Sequence, residues 1–289
     1  MNFVKMLSTG TQIDIHDDLT RYKTLSKDDL SSSKWMFAPY LVSTNMERLQ
    51  ISYHQASKFA KRHNTFLYRW PLHLHKWKNR PLLNSHRQTV SQHPVFWQYF
   101  VPGAPAYLTN NLNTSLGLAN GTKVELHSLT FSSQIIGEYI ADRYLSQPPG
   151  TVITLTGDLI PASVNIKLDK HLWSTPHKLA CHDKITKFSL SETETVIPLL
   201  LNKGISSTRK WYTAPGNHPA YGPSRIRTSL LFAFDLAFAL TVHKAQGQTL
   251  DSVILCLSQR PTRVQQIVFS AVYVEFLRVK FLDNINFDY

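Results

Sequence analysis

Several absences limit what this sequence of 289 residues can encode. It has two cysteines, Cys181 and Cys256, too few for the disulfide framework of a small secreted domain, so a reducing intracellular compartment is expected. The opening segment 1–5 leads into no apolar stretch, so it does not resemble a secretory signal. The longest apolar run, 230–242, contains Asp235 and is too short to cross about 30 Å of hydrocarbon. We therefore expect no membrane partner.

Acidic residues are also scarce. Lys and Arg number 31 against 19 Asp and Glu, which gives a net charge of +12 and favours a polyanionic partner such as nucleic acid. No acidic residue lies between Glu47 and Glu125, and aromatic residues alternate with the basic ones there: Phe66, Tyr68, Trp70, Trp77, Trp97, Tyr99 and Phe100. Aromatic rings stack on unpaired bases, so this acid-free stretch indicates a surface for single-stranded nucleic acid. A solvated basic face explains the same charges.

The middle of the chain is predicted to be rich in short strands. Residues 1–33 are polar and suggest an N-terminal arm. Apolar spacings of three and four predict a helix over Gln50–Arg62, followed by a short strand at Thr65–Trp70 and an exposed basic loop at His73–His93. Between 101 and 228, alternating segments separated by turn residues predict a small barrel or sandwich.

After Pro223 the pattern becomes that of an α/β unit. Leu230–Leu240 and Val253–Leu257 are nearly continuous apolar runs, typical of strands that are buried on both faces. An amphipathic helix is predicted over Thr262–Val279. With 43% apolar residues the chain can form a substantial core, so it is not a mainly disordered protein.

The segment from Thr241 to Asp251 carries the strongest functional signal. Thr241 is a good N-cap and Gly247 a good residue to follow a helix C-terminus, so a short helix is predicted directly after a buried strand. Free N–H groups at such a junction suit a phosphate. Lys244 opposes the helix dipole there, and a bound polyanion would compensate, with His243 and Gln246 reaching toward it. A connecting turn with a solvated lysine is the alternative interpretation.

This segment, read Thr-Val-His-Lys-Ala-Gln-Gly-Gln-Thr-Leu, resembles motif V of superfamily-one DNA helicases. It is most similar to the RecD-related petite integration frequency (PIF) family, including the copies in helitron-type mobile elements. Residues 272–279 resemble motif VI and keep Tyr273 and Arg278, while Glu275 and Leu277 depart from the pattern. Weaker similarities cover residues 38–48, around motif IV, and residues 101–122, in the insert of that family.

The resemblance implies an α/β fold: the RecA-like second motor domain of a P-loop NTPase, formed by 34–100 plus 229–289, with an SH3-like β-rich insert at 101–228. It implies that Arg278 is the arginine finger, whose loss costs about 10³–10⁵ in rate. Arg48 and Tyr273 would lie near the nucleotide. The residues implied to bind DNA or couple it to the nucleotide are Thr241, His243, Lys244, Gln246, Gly247 and Thr249.

The half of the motor that would bind the triphosphate is missing from this sequence. A phosphate loop requires Gly-Lys-Ser/Thr, and no glycine of this chain is followed by lysine. ATP and Mg²⁺ are therefore expected in the complete enzyme and not bound tightly by this chain alone. The expected partners are single-stranded DNA and an N-terminal RecA-like half, in cis or in trans. A non-enzymatic remnant that binds single-stranded nucleic acid is the alternative.

Other candidate sites are weaker. His177, Cys181 and His182 lack the spacing and the fourth ligand of a structural zinc site, so no metal is expected there. The family resemblance suggests a role in DNA repair, recombination or transposition, in the nucleus or mitochondrion if the source is eukaryotic. The pathway and the compartment are expectations from analogy.

Overall fold

The structure, a computed structural model, describes residues 32, 34–42, 44–75, 94–168, 189–191, 194–201, 209–212, 225–245, 250–256 and 285–288. The chain divides into two compact units. The first comprises the described residues up to Gln55 and from Ala237 onward, and the second comprises those within Ala56–Leu236. The N-terminal arm predicted for 1–33 lies outside the described residues, apart from Ser32.

The first unit is built on a four-stranded parallel sheet. Its strands lie in the order β13, β1, β14, β15. Their bounds are β1 Tyr40–Val42, β13 Ala239–Thr241, β14 Val253–Cys256 and β15 Ile285–Asp288. Strands in a parallel sheet are covered on both faces, which explains the unbroken apolar sequence of β1 and of β14. The predicted α/β class is confirmed by this parallel sheet.

Helix α1, Asn45–Arg62, follows β1 and helps to cover the sheet. Ile51, on its first half, packs against a buried cluster that includes Trp35, Tyr40 and Ile254. The prediction placed this helix over Gln50–Arg62, so its end is correct and its start is five residues too late. Thr44 and Glu47 determine the true start, as described below.

The second unit contains the β-rich insert. Five antiparallel strands lie in the order β12, β5, β6, β8, β9. Their bounds are β5 Pro105–Leu108, β6 Lys123–Thr130, β8 Ser163–Lys167, β9 Val196–Leu200 and β12 Phe234–Leu236. The predicted β-rich insert is thus confirmed, with a fifth strand from residues beyond 228.

Two three-stranded sheets complete the second unit. One has the order β4, β2, β7 and the other the order β10, β11, β3. Their bounds are β2 Leu67–Pro71, β3 His73–His75, β4 Trp97–Phe100, β7 Val152–Thr154, β10 Arg209–Tyr212 and β11 Arg225–Ser229. The basic loop predicted for His73–His93 therefore begins as a strand, because β3 pairs with β11.

Helix α2, Gln134–Tyr144, was missed by the sequence analysis. It begins at a conventional N-cap, since the Ser133 hydroxyl accepts a hydrogen bond from the Ile136 N–H at 3.4 Å. Among its residues only Ile140 is fully buried, so the apolar periodicity that reveals most helices is weak here.

The apolar run Leu230–Leu240 was predicted as one buried strand, and this prediction is wrong. The run forms two strands in different sheets, since β12 pairs antiparallel with β5 and β13 pairs parallel with β1. Ala237 and Phe238 form a turn between them. All residues from Phe232 to Leu240 are buried, so the sequence alternation that would reveal the break is absent.

The domain bounds proposed from the sequence remain a prediction. Strands β2 and β4 fall within the predicted motor segment 34–100. In the structure they belong to the second unit, where β2 pairs in parallel with β7. The two compact units divide at Gln55/Ala56 and at Leu236/Ala237.

A buried glutamine, Gln98, binds the segment 231–234, where the chain enters β12. The Gln98 side-chain oxygen accepts hydrogen bonds from the Trp70 indole N–H at 3.1 Å and from the Leu231 and Phe232 N–H groups at 3.1 and 3.2 Å. Its amide nitrogen donates to the carbonyls of Phe232 and Phe234 at 2.9 and 3.1 Å. Strands β2 and β4 and the chain that enters β12 are thereby joined through one side chain.

Replacing Gln98 with alanine should destabilise the protein. The change leaves five buried polar groups without this partner, and a single unsatisfied buried group costs about 1–3 kcal/mol. We expect a loss of at least about 3 kcal/mol in the free energy of unfolding, measured by urea denaturation. Gln147→Ala is the matched control, because Gln147 is exposed. Equal stability of the two variants would contradict the assigned role.

Candidate nucleic-acid interface

The segment with the motif V pattern lies at the carboxyl edge of the parallel sheet. Strand β13 ends at Thr241, and helix α3, Val242–Ala245, begins at the next residue and lies against β1 and β13. Thr241 is 6% exposed and Ala245 is fully buried, whereas the side chain of Lys244 is exposed. The predicted strand-to-helix junction is therefore present, with Lys244 at its surface.

The start of α1 lies at the same edge, because Val42 pairs with Thr241 in the sheet. Thr44 and Glu47 form a capping box there. The Thr44 hydroxyl accepts from the Glu47 N–H at 3.2 Å, and the Glu47 carboxylate accepts from the Thr44 N–H at 3.1 Å and from its hydroxyl at 2.8 Å. A carboxylate therefore already occupies this helix N-terminus, which leaves it unsuited to a phosphate.

Arg48, expected near the nucleotide, is 1% exposed. Its Nε–H donates to the side-chain oxygen of Asn45 at 3.3 Å, within the first turn of α1. The residue lies near the carboxyl edge of the sheet, as the resemblance requires, but its side chain is covered. A role at the nucleotide stays a prediction.

The other site residues lie outside the described part of the chain. These are Gln246, Gly247, Thr249, Tyr273 and Arg278, together with the side chain of His243. The residues weighed as zinc ligands, His177, Cys181 and His182, also lie outside it. The described residues contain no group of three or more His, Cys, Asp or Glu that could hold a metal ion. Among the described helices, none has the length and apolar character needed to span a bilayer.

Most aromatic residues of the acid-free stretch belong to the core. Trp70, Trp97, Tyr99 and Phe100 are buried, so the expectation that they stack on bases is wrong. The Arg69 guanidinium lies over the Trp97 ring, 4.3 Å from its centre, and its Nε–H donates to the Thr154 hydroxyl at 2.9 Å. Of the other aromatic residues named in the sequence analysis, Phe66 and Tyr68 are half-buried, and Trp77 lies outside the described residues. Burial raises the pKa of the Tyr68 hydroxyl, which keeps it neutral.

Exposed cations instead cluster at the end of α1. Lys58, Lys61 and Arg62 are exposed there, and none forms an ion pair with a carboxylate of the described residues. Cations in a last turn also interact favourably with the helix dipole, so part of this pattern is structural. The Lys61 side chain lies against Gly150, where an added Cβ would be 2.2 Å from Lys61 Cγ.

A second charged cluster lies on the insert sheet. Lys167 donates to Glu194 at 2.7 Å and lies 3.8 Å from Glu125, while His127 lies 3.8 Å from Glu194. The hydrogen bond from Lys167 is the main cause that lowers the pKa of the Glu194 carboxyl. These groups are partly or fully exposed and paired with one another, so they carry no sign of a catalytic site.

Comparisons with known proteins gave matches only among solved structures. No protein-family model matches the chain, and no curated protein does. The structure of Pif1 helicase from Candida albicans shares 14% identity with this chain at a TM-score of 0.47, covering 98% of this chain and 52% of that one. Pif1 from Bacteroides in complex with ADP-AlF3 and ssDNA shares 15% identity at a TM-score of 0.49, covering 99% and 48%.

A further structure, Bacteroides Pif1 bound to ssDNA, shares 15% identity at a TM-score of 0.47, covering 99% of this chain and 47% of that chain. The chain thus spans about half the length of the solved structures that it matches.

Removing the capping box should weaken the start of α1. Thr44→Ala removes the hydroxyl that accepts from the Glu47 N–H, and we expect a loss of about 1 kcal/mol in the free energy of unfolding. Thr44→Ser should retain most of the stability, because serine caps as well as threonine. Gln50→Ala is the control on the exposed side of the same helix. The role is refuted if Thr44→Ala and Gln50→Ala unfold at the same urea concentration.

Proposed function

We propose that this chain is the C-terminal motor portion of an ATP-dependent DNA helicase, and that a first motor half supplies the phosphate loop in cis or in trans. The observation that carries the proposal is the junction at Thr241–Lys244. A sequence with the motif V pattern begins where a parallel strand passes directly into a helix, at the edge of the sheet where ligands of open α/β sheets bind.

We propose different tasks for the described residues of this junction, and their burial supports the division. Thr241 is buried at the end of β13, so it anchors the junction within the sheet. Lys244 is exposed and can approach a DNA phosphate, with the gain in affinity that comes from releasing a counterion. His243, Gln246, Gly247 and Thr249 are proposed to complete the contact with the backbone.

The residues present do not fit ATP and Mg²⁺ without a second motor half. No glycine is followed by lysine anywhere in the sequence, and the N-terminus of α1 is closed by the Glu47 carboxylate, which would repel a phosphate. We therefore assign this chain no phosphoryl-transfer step of its own. Arg278 is proposed to act on a nucleotide held by the other half, with Arg48 and Tyr273 near it.

The alternative is a non-enzymatic remnant that binds single-stranded nucleic acid. The net charge of +12 together with the missing phosphate loop favours it. Both functions require DNA binding, so they differ in whether ATP hydrolysis appears once a first motor half is present.

The DNA contact can be tested at Lys244. Lys244→Ala should weaken binding of a single-stranded oligonucleotide several-fold and reduce the slope of log K against log salt by about 0.7, the value for one lost phosphate contact. Fluorescence anisotropy at several salt concentrations measures both quantities. Lys123→Ala is the matched control, since Lys123 is exposed on β6 of the insert. The same effect from both substitutions would show that Lys244 has no special position.

The motor assignment can be tested by ATP hydrolysis. The isolated chain should show none with or without single-stranded DNA. Turnover should appear when a first motor half is supplied, and Arg278→Ala should lower it by about 10³–10⁵. Turnover by the isolated chain that Arg278→Ala abolishes would contradict the need for a second half. No turnover in the combined sample would favour the remnant.

A further inference from the structure

Helix α2 of the second unit carries an exposed aromatic and cationic surface that the proposed motor site does not use. Tyr139 is 46% exposed, and it is the one exposed Phe, Tyr or Trp ring among the residues whose side chains the structure describes. Ile135, one helical turn before Tyr139, is 76% exposed, and Leu145, which follows the helix, is 82% exposed. Large apolar side chains this exposed on a short helix suggest a binding surface.

Arg143 connects two tyrosines on this surface. Its guanidinium carbon lies 5.7 Å from the centre of the Tyr139 ring and 5.9 Å from that of Tyr144, and one of its N–H groups donates to the Tyr139 hydroxyl. Within the described part of the chain Arg143 forms no ion pair with a carboxylate. The Arg143 guanidinium and the exposed Tyr139 ring therefore lie side by side, and the guanidinium has further N–H groups that can donate to a ligand.

We propose that α2 binds single-stranded DNA, with one base stacked on Tyr139 and a neighbouring phosphate bound by Arg143; this inference rests on the proposed function. A base stacks on an aromatic ring whatever its identity, and an adjacent arginine contacts the backbone, which together give binding without sequence preference. The net charge of +12 favours a polyanion over a basic protein segment.

The charges around α2 define where the strand passes. At 3.6 residues per turn, Arg143 lies on one flank of Tyr139, and Glu138 and Asp142 lie on the other. The strand therefore follows the flank of Arg143 and Tyr144. The loop that leaves α2 reaches Gly150, which contacts the side chain of Lys61 on α1. Lys61 and the neighbouring Arg62 are exposed, so further cations lie near the loop that leaves α2.

An abasic strand separates base stacking from phosphate binding. The affinity of the full chain for oligothymidine is compared with its affinity for an abasic oligonucleotide of equal length by fluorescence anisotropy. We expect the wild type to prefer oligothymidine by about tenfold, Tyr139→Ala to lose that preference, and Tyr139→Phe to keep it. Arg143→Gln should weaken binding of both strands and reduce the salt slope by about 0.7. Gln134→Ala is the control on the same helix and should keep the preference, because exposed Gln134 bonds Glu138 on the flank away from Arg143.

The outcomes separate this inference from the proposed function. A preference that survives in Tyr139→Ala overturns the inference while leaving DNA binding by the chain intact. Equal binding of both strands by the wild type also overturns it. Failure of the wild type to bind either strand contradicts the proposed function as well.

Discussion

The parallel pairing of β1 with β13 is the contact on which the first unit depends. Strand β1 lies between β13 and β14, and both of these strands follow the insert in the sequence. The sheet therefore forms around β1 only when the chain on both sides of the insert comes together. About 200 residues separate the two strands, and closing a flexible loop of that length costs about 5 kcal/mol from the logarithmic length dependence alone. A folded insert reduces this cost, because it holds its own ends in fixed positions.

Gln98 provides such a fixed position within the second unit. It binds Trp70 of β2, which follows α1 along the chain, and also the segment Leu231–Phe234, which leads to β13. The outgoing and returning chains of the insert are therefore joined through one amide whose oxygen and nitrogen are both satisfied. A buried network is stabilising only when every member has its partner, and Gln98 meets that condition with five hydrogen bonds.

The sequence predicted the features that depend on local pattern. The end of α1 at Arg62 and strand β6 follow from periodicity, and β14 follows from a continuous apolar run. Thr241 marks the junction because it precedes a short helix. The bonds of Gln98 could not be predicted, since its partners lie 28 to 136 residues away in the sequence. Trp70 and Trp97 were misjudged because neighbouring basic residues suggested exposure. In the structure all four residues of β4 are buried, and Trp70 is enclosed by Phe232 and Gln98, which are distant in sequence.

The net charge shows what kind of ligand to expect, but the position of each cation decides where a ligand can bind. Arg48 is covered and bonded to Asn45, and Arg69 lies over Trp97, so neither is available to a phosphate without breaking those contacts. Lys244, Arg143 and the cations at the end of α1 are exposed to solvent, Arg143 while it also bonds the Tyr139 hydroxyl. A polyanion is attracted by all the charges at long range, yet it gains contact energy only at the exposed ones. Binding to this chain should therefore be governed by a few cations rather than by the composition as a whole.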